Sequence, residues 1–193
     1  MIAEFTERVE KAEIAAGVLL RPLAAVDAEA LCSAYVENRK HLEPWEPVRP
    51  EYFFTVEGQK ERLGGLLRQF AEGAAVPLVM ESADGRIVGA ITLSGVSLGP
   101  FCSAQVGYWT AADQQKRGLA QAALHAVCRM ARDTVRLHRI EASTLIENIG
   151  SQRVLEKCGF ESIGLAPSYL HINGEWRDCR LFQRILHDRP PVM

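Results

Sequence analysis

The sequence has no cysteine pattern of the kind that builds a metal or redox site. Its five cysteines, Cys32, Cys102, Cys128, Cys158 and Cys179, are odd in number and widely spaced, and no C-x-x-C pair occurs. Structural zinc, a dithiol redox pair and a disulfide framework are therefore disfavoured, and reduced thiols in the cytoplasm are the expected state. His125, His138 and His171 have no metal-ligand spacing either, so no metal site is expected. Walker, G-x-G-x-x-G and G-x-S-x-G signatures are all missing, which removes the common nucleotide-hydrolysing, dinucleotide-binding and serine-hydrolase readings. No apolar run approaches the length of a membrane span, and Met1 to Lys11 mixes acids and bases where a signal peptide needs a basic end and an apolar run. The net charge of −2 gives no electrostatic footprint for duplex nucleic acid.

What is present is apolar material enough for a self-sufficient core. At 193 residues and 48% hydrophobic, the chain reads as one domain over 1–193 that needs no covalent staples. Residues 18–23 read as a first strand, and Asp27 is placed to cap a helix through Leu31, Ala34 and Tyr35 to about Asn38. Pro44, Pro47 and Pro50 exclude a helix over 41–50 and predict a long ordered loop. Thr55 opens a helix that carries Leu63, Leu66, Leu67 and Phe70 at helical spacing and ends near Gly73. Residues 76–82 and 86–96 flank Asp84-Gly85, a hairpin signal. A strand over 104–110 precedes a helix over 119 to about 134 that buries Leu124, Val127 and Met130 or their neighbours. A strand over 138–144 and a helix over 151–158 closed by Gly159 follow. Residues 161–171 and 175–186 form a last antiparallel pair around Asn173-Gly174. Hairpins at both ends with helical connections between them imply an α/β fold with a mixed sheet.

The strongest chemical signal is Gln115-Lys116-Arg117-Gly118-Leu119-Ala120, which joins the strand-like run Val106-Gly107-Tyr108-Trp109 to an Ala-rich helix. The first turn of a helix has N–H groups without internal acceptors and carries partial positive charge, so a pyrophosphate fits there. Gly118 and Ala120 lack bulk and let phosphate oxygens reach the backbone, while Lys116 and Arg117 add charge.

At this loop the chain resembles the GCN5-related N-acetyltransferases (GNAT), whose Q/R-x-x-G-x-G/A loop binds the pyrophosphate of acetyl-CoA. The likeness to the RimJ/RimL branch runs over about residues 18–187. It is carried by Glu37-Asn38-Arg39, Leu42-Glu43-Pro44-Trp45-Glu46-Pro47, Val106-Gly107-Tyr108-Trp109 and His138-Arg139-Ile140-Glu141-Ala142. Asn148-x-x-Ser151, Val154-Leu155-Glu156-Lys157-Cys158-Gly159-Phe160 and Tyr169-Leu170-x-Ile172-Asn173-Gly174-x-Trp176-x-Asp178 continue it. That branch includes enzymes that acetylate the N-termini of ribosomal proteins. The resemblance implies a single-domain α/β fold with a mixed, mostly antiparallel sheet of about seven strands, splayed at the centre and flanked by about four helices. It implies acetyl-CoA as donor substrate, no metal, a peptide or protein N-terminus as acceptor with a ribosomal protein as one such partner, and a cytoplasmic monomer or homodimer. A small-amine acetyltransferase and a non-catalytic acyl-CoA-binding module are the alternatives.

Amine attack on a thioester needs stabilisation of an oxyanion and of a departing thiolate. The resemblance places backbone N–H groups of Trp109 and Thr110 at the oxyanion and the pantetheine amides, beside a bulge that splays two strands. It gives Gln115 to Ala120 the pyrophosphate, Asn148 the pantetheine, and Ser151 the departing sulfur. A helix cap explains Asn148 and Ser151 equally well. For a general base, Gly159-Phe160-Glu161-Ser162-Ile163-Gly164 has Ile163 where the family often carries a carboxylate. Glu141 is then the first candidate, with Glu147 and Glu161 behind it, and an ion pair with Arg139 is its competing role. A peptide α-amine, with a pKa near 7.7–8.0, is deprotonated at pH 7 for about 1 kcal/mol, against roughly 4.6 for lysine, so water suffices more readily for an N-terminus. The family lines its acceptor groove with the loop around Trp45, including Glu43, and with the hairpin bearing Tyr169 and Asn173; for Trp45, packing against a helix is the alternative.

Overall fold

The structure, a computed structural model, describes residues 8–191, so most of the mixed-charge segment 1–11 lies outside the described residues. Eight strands form one sheet in the order β1-β2-β3-β4-β5-β6-β8-β7. They are β1 (Ala12–Ala15), β2 (Val18–Pro22), β3 (Ala75–Ser82), β4 (Ile87–Ser97), β5 (Ser103–Thr110), β6 (Arg139–Leu145), β7 (Glu161–Ile172) and β8 (Glu175–Ile185). Every neighbouring pair is antiparallel except β5 and β6. The helices are α1 (Ala28–Glu37), α2 (Arg39–Leu42), α3 (Val56–Ala71), α4 (Leu119–Met130) and α5 (Ile149–Lys157).

Helices cover both faces of the sheet, which is why β3 is buried continuously from Ala75 to Met80 where a one-sided strand would alternate. On one face Leu31 and Tyr35 of α1 and Leu63 of α3 pack with Phe53 against Val79 and Ile87. On the other, Leu124 and Val127 of α4 and Leu155 of α5 join Leu78, Met80, Ile91, Val106 and Ile140. Leu63, Leu124 and Leu155 have almost no exposed surface, and each such burial stabilises by roughly 1.5–3 kcal/mol. Thr55 caps α3 as expected, its side chain accepting from the Gly58 N–H at 3.0 Å.

Two expectations, the Pro-rich loop and the bulge, need correction, and two others hold with added detail. The sheet has eight strands, because the short Ala12–Ala15 segment pairs with β2 although it has no β-branched run beyond Ile14. The Pro-rich stretch is not wholly loop. It begins with the one-turn helix α2, then a 3₁₀ turn Glu43–Trp45 with Pro44 in its first turn, where the missing N–H costs nothing. The helix from Leu119 is regular only to Met130, continues as a π-type turn Ala131–Val135, and stops at Arg136 with φ 67°. Leu124 and Val127 are buried as expected, and beside the half-buried Met130 its neighbours Cys128 and Ala131 are buried. Finally, the bulge lies elsewhere. β4 and β5 keep regular register from Gln105 to Thr110, and the irregularity falls between Ser94 and Ser97, where Gly95 has φ 62°.

Gly89 sets how closely β4 and β5 approach. A Cβ there would lie 2.6 Å from the Trp109 carbonyl oxygen and 3.3 Å from the Thr110 Cα. Backbone of a central strand cannot yield cheaply, so Gly89→Ala is expected to destabilise the fold by about 1–3 kcal/mol, read as a lower midpoint in urea unfolding.

Candidate active site

The site begins where the sheet opens. β5 and β6 pair only over Ser103–Gln105 and Arg139–Glu141. Beyond that point β5 stays with β4 as far as Thr110, and β6 stays with β8 as far as Leu145, but not with each other. The inner edge of β5 from Val106 to Thr110 thus presents backbone N–H and C=O groups to a cleft in place of a neighbouring strand. The cleft has a volume of about 550 Å³ and is lined by the end of β5, the start of α4, the start of α5 and the segment after α1.

At one end of the cleft the 115–120 loop turns into α4. Gly118 is the N-cap residue, with φ 77°, and Lys116 also has positive φ, 60°. Gly118 offers no side chain to accept from the helix, and the first helical bond is Ala122 N–H to the Gly118 carbonyl at 2.9 Å. The amides of Leu119, Ala120 and Gln121 therefore face the cleft at the positive end of the helix dipole. Lys116, Arg153 and Lys157 line the cleft against a single carboxylate there among the described residues, Glu46. An extended polyanion matches this charge distribution. Arg117 is the one residue of the loop that does not line the cleft; its guanidinium turns to Gln114.

Two consecutive aromatics on β5 leave it in opposite directions, as strand alternation requires. The Trp109 indole N–H donates to Tyr35 on α1 at 3.1 Å, with ring centroids 5.0 Å apart, so its side chain docks a helix, while the strand register turns its backbone N–H and C=O to β4. Tyr108 crosses the opening and places its hydroxyl 2.9 Å from Ser151 Oγ and 3.3 Å from the Ser151 carbonyl. Burial pushes the Tyr108 phenol up to about 12, with the Ser151 contact pulling the other way. Asn148 caps α5, its Oδ1 accepting from the Ser151 N–H at 3.1 Å. The cap uses one oxygen of Asn148 and the backbone of Ser151, and both residues still line the cleft.

Three side chains to which the sequence alone assigns no role, Tyr108, Asn38 and His41, hold this arrangement together. Buried Asn38 donates to the Ala34 carbonyl at 2.8 Å and accepts from the Ala112 N–H at 2.8 Å, tying the end of α1 to the approach to the 115–120 loop. His41 Nε2 lies 3.2 Å from the Thr110 carbonyl and 3.1 Å from Gln115 Nε2. Of the three, only Tyr108 had a local signal, its alternation parity with the core residues Ala104 and Val106.

The carboxylates proposed as bases are engaged elsewhere. Glu141 lies outside the cleft lining and pairs with Arg139 at 2.8 Å. Glu147 pairs with Arg177 at 2.8 Å; its own backbone N–H and that guanidinium hold its carboxyl below the usual range. Glu161 accepts from Gln183 at 2.9 Å. Ile163 is half-exposed on the outermost strand. Trp45 lines the cleft as well and is 38% exposed. Glu43 and Asn173 line an adjoining pocket of about 100 Å³ with Arg39 and Arg49, and the Asn173 N–H donates to the Glu46 carbonyl at 3.0 Å. Tyr169 lines neither space; it is exposed beside an irregular stretch of β7, where the Ser168 N–H binds Asp178 at 2.8 Å. No group of His, Cys, Asp and Glu able to hold a metal occurs among the described residues, and no helix there is long and apolar enough to cross a membrane.

Comparison with known proteins adds four findings. The family model described as "Acetyltransferase (GNAT) domain" matches residues 18–161. The [ribosomal protein uS5]-alanine N-acetyltransferase of Escherichia coli is 37% identical over 153 residues, 79% of this chain and 79% of that protein. Among solved structures, the ribosomal-protein-S5-alanine acetyltransferase of Vibrio fischeri superposes with a TM-score of 0.90 at 32% identity, covering 94% of this chain and 100% of that one. Mycobacterium smegmatis RimJ in complex with CoA-disulfide gives 0.85 at 36% identity, covering 92% and 86%.

Removing the Asn38 amide takes the side-chain acceptor from the Ala112 N–H, while the Ala34 carbonyl keeps the Asn38 backbone N–H at 3.1 Å. Asn38→Ala is expected to cost about 1–3 kcal/mol in denaturant unfolding, the usual penalty for such a buried loss. Faster amide hydrogen exchange at Ala112, before global unfolding, is the local signature expected.

Proposed function

Since the chain belongs to the GNAT acetyltransferase family, we propose that it moves the acetyl group of acetyl-CoA to the α-amine of a protein N-terminus, with a ribosomal protein as acceptor. The observation that carries this reading is the open β5 edge leading into the amide-rich start of α4. Pantetheine is an amide chain that pairs with a strand edge, and pyrophosphate is the anion that the helix start accepts. The acceptor is supported by the relative that acts on uS5 alanine, and a ribosomal acceptor puts the reaction in the cytoplasm.

In this reading the donor thioester lies along Val106–Thr110, with its diphosphate on the 115–120 amides and Lys116. Of the two candidate positions at the end of β5, Thr110 turns its backbone N–H to the cleft and stabilises the oxyanion, while that of Trp109 is turned to β4; Asn148 orients the pantetheine, and Ser151 meets the sulfur. The acceptor enters past Trp45, with Glu43 and Asn173 at the adjoining pocket. Its nitrogen loses a proton to water, because an α-amine near 7.7–8.0 is already partly neutral at pH 7 and the candidate carboxylates are paired elsewhere. CoA release measured with an Ala-initiated peptide, an N-blocked lysine peptide, a polyamine and a free amino acid tests the acceptor class. Fastest release with the Ala-initiated peptide is expected; preference for polyamine or lysine overturns the acceptor assignment while leaving the donor site intact.

A side chain at Gly118 meets no protein atom within 4 Å, so its cost is the positive φ and obstruction of the anion site. Gly118→Val is expected to weaken acetyl-CoA binding by about tenfold or more in calorimetric titration; unchanged affinity in the folded variant contradicts the pyrophosphate assignment. Glu141→Gln is expected to lower kcat by roughly tenfold or less, below the usual contribution of a positioned base. A loss of about a thousandfold with normal donor binding would identify Glu141 as that base.

A further inference from the structure

We propose that Tyr108 is a positioning residue for thiolate departure, acting through Ser151: its phenol donates to Ser151 Oγ and thereby turns the serine hydrogen toward the sulfur. The inference rests on the acetyl-transfer reading and assigns a role to a side chain that it leaves unused. Tyr108 sits on the opened part of β5 and lines the cleft, and its hydroxyl reaches the first turn of α5 on the far side. A phenol has one hydrogen, and two oxygens of Ser151 are within reach of it, Oγ at 2.9 Å and the carbonyl at 3.3 Å. The shorter contact is to Oγ, where either hydroxyl is able to donate, and the phenol, more acidic than an alkanol, is the stronger donor of the two. With the phenol hydrogen there, the serine's own hydrogen is directed away from Tyr108 and is available to the cleft. Without Tyr108 the hydroxyl turns freely and can bind a neighbouring helix carbonyl.

The proton inventory separates positioning from acid catalysis. Nitrogen forms its bond to the acetyl carbon, and the C–S bond breaks with its electron pair going to sulfur. The ammonium proton leaves through water, and the thiolate is stabilised by the Ser151 O–H before it takes a proton from solvent. An ordinary alkyl thiol titrates at roughly 8.5, whereas burial puts this phenol at about 12. The thiolate is therefore too weak a base to remove the Tyr108 proton, and the phenol stays a donor throughout the cycle.

Tyr108→Phe keeps the ring and removes only the hydroxyl. Its kcat for acetyl transfer is expected to fall about tenfold, the scale of one lost hydrogen bond to a polarised group, with the KM for acetyl-CoA within about twofold. In a Ser151→Ala background the same change is expected to have no further effect, because two residues that act as one unit are not additive. Single-turnover release of CoA thiol by hydrolysis of acetyl-CoA, without acceptor, needs the same C–S cleavage and is expected to show the same tenfold fall and the same non-additivity. That arm decides the role of Tyr108 even if the unaltered protein acetylates none of the amines offered, which would overturn the acceptor reading alone. Unchanged rates in Tyr108→Phe overturn the inference, as do losses that multiply with Ser151→Ala, or a donor KM that rises as much as kcat falls.

Discussion

The site depends on a pairing that stops after three residues. Strands β5 and β6 exchange hydrogen bonds only between Ser103–Gln105 and Arg139–Glu141. A strand edge left open inside a sheet exposes polar backbone groups that have to be satisfied by something. Here each strand is secured on its outer side, β5 by β4 to the Gly89–Thr110 pair and β6 by β8 to the Leu145–Cys179 pair. The gap is therefore a stable part of the fold. Its length suits a linear chain of amides, and that is the form of the donor's pantetheine arm.

Two adjacent aromatics determine what closes over that gap. Trp109 points to one face and docks α1 through Tyr35, while Tyr108 points to the other and meets α5 at Ser151. Because they are consecutive on a strand, a shift of one residue in register would exchange their faces and lose both contacts. Gly89, opposite Thr110, permits the close approach of β4 that holds the register in place. Structural and chemical demands thus meet on the same few residues of β5.

Charge in the cleft follows the elements that line it. Lys116, Arg153 and Lys157 come from the approach to α4 and from α5, and Glu46 from the segment that bears Trp45. Glu46 is held by Arg49 at 3.2 Å. The excess of positive side chains in the cleft matches a donor that carries several phosphate charges. Glu141 and Glu147 answer to Arg139 and Arg177 and shape the sheet beyond the cleft.

Much of this was legible along the chain. The strand-to-helix turn at Gly118, the cap at Thr55 and the hairpins at Gly85 and Gly174 involve backbone conformations set by the residue itself and its next few neighbours. Alternating and helical periodicities located seven of the eight strands for the same reason; β1 was missed because four residues with two alanines carry little periodic signal. The resemblance supplied the splayed sheet, but its origin in lost β5–β6 pairing, and not in a bulge at the end of β5, was a matter of register between distant segments. The contacts that define the site join residues far apart: 43 positions for Tyr108 and Ser151, 69 for His41 and Thr110, 74 for Asn38 and Ala112. The sequence by itself determined most of the elements and the glycine turn into α4, since local sterics and hydrogen bonding act within a few residues. Only the tertiary structure decided which carboxylates were paired away, which tyrosine met Ser151 and which residues walled the cleft, because a charge or hydroxyl acts over a few ångströms of space regardless of how much chain lies between.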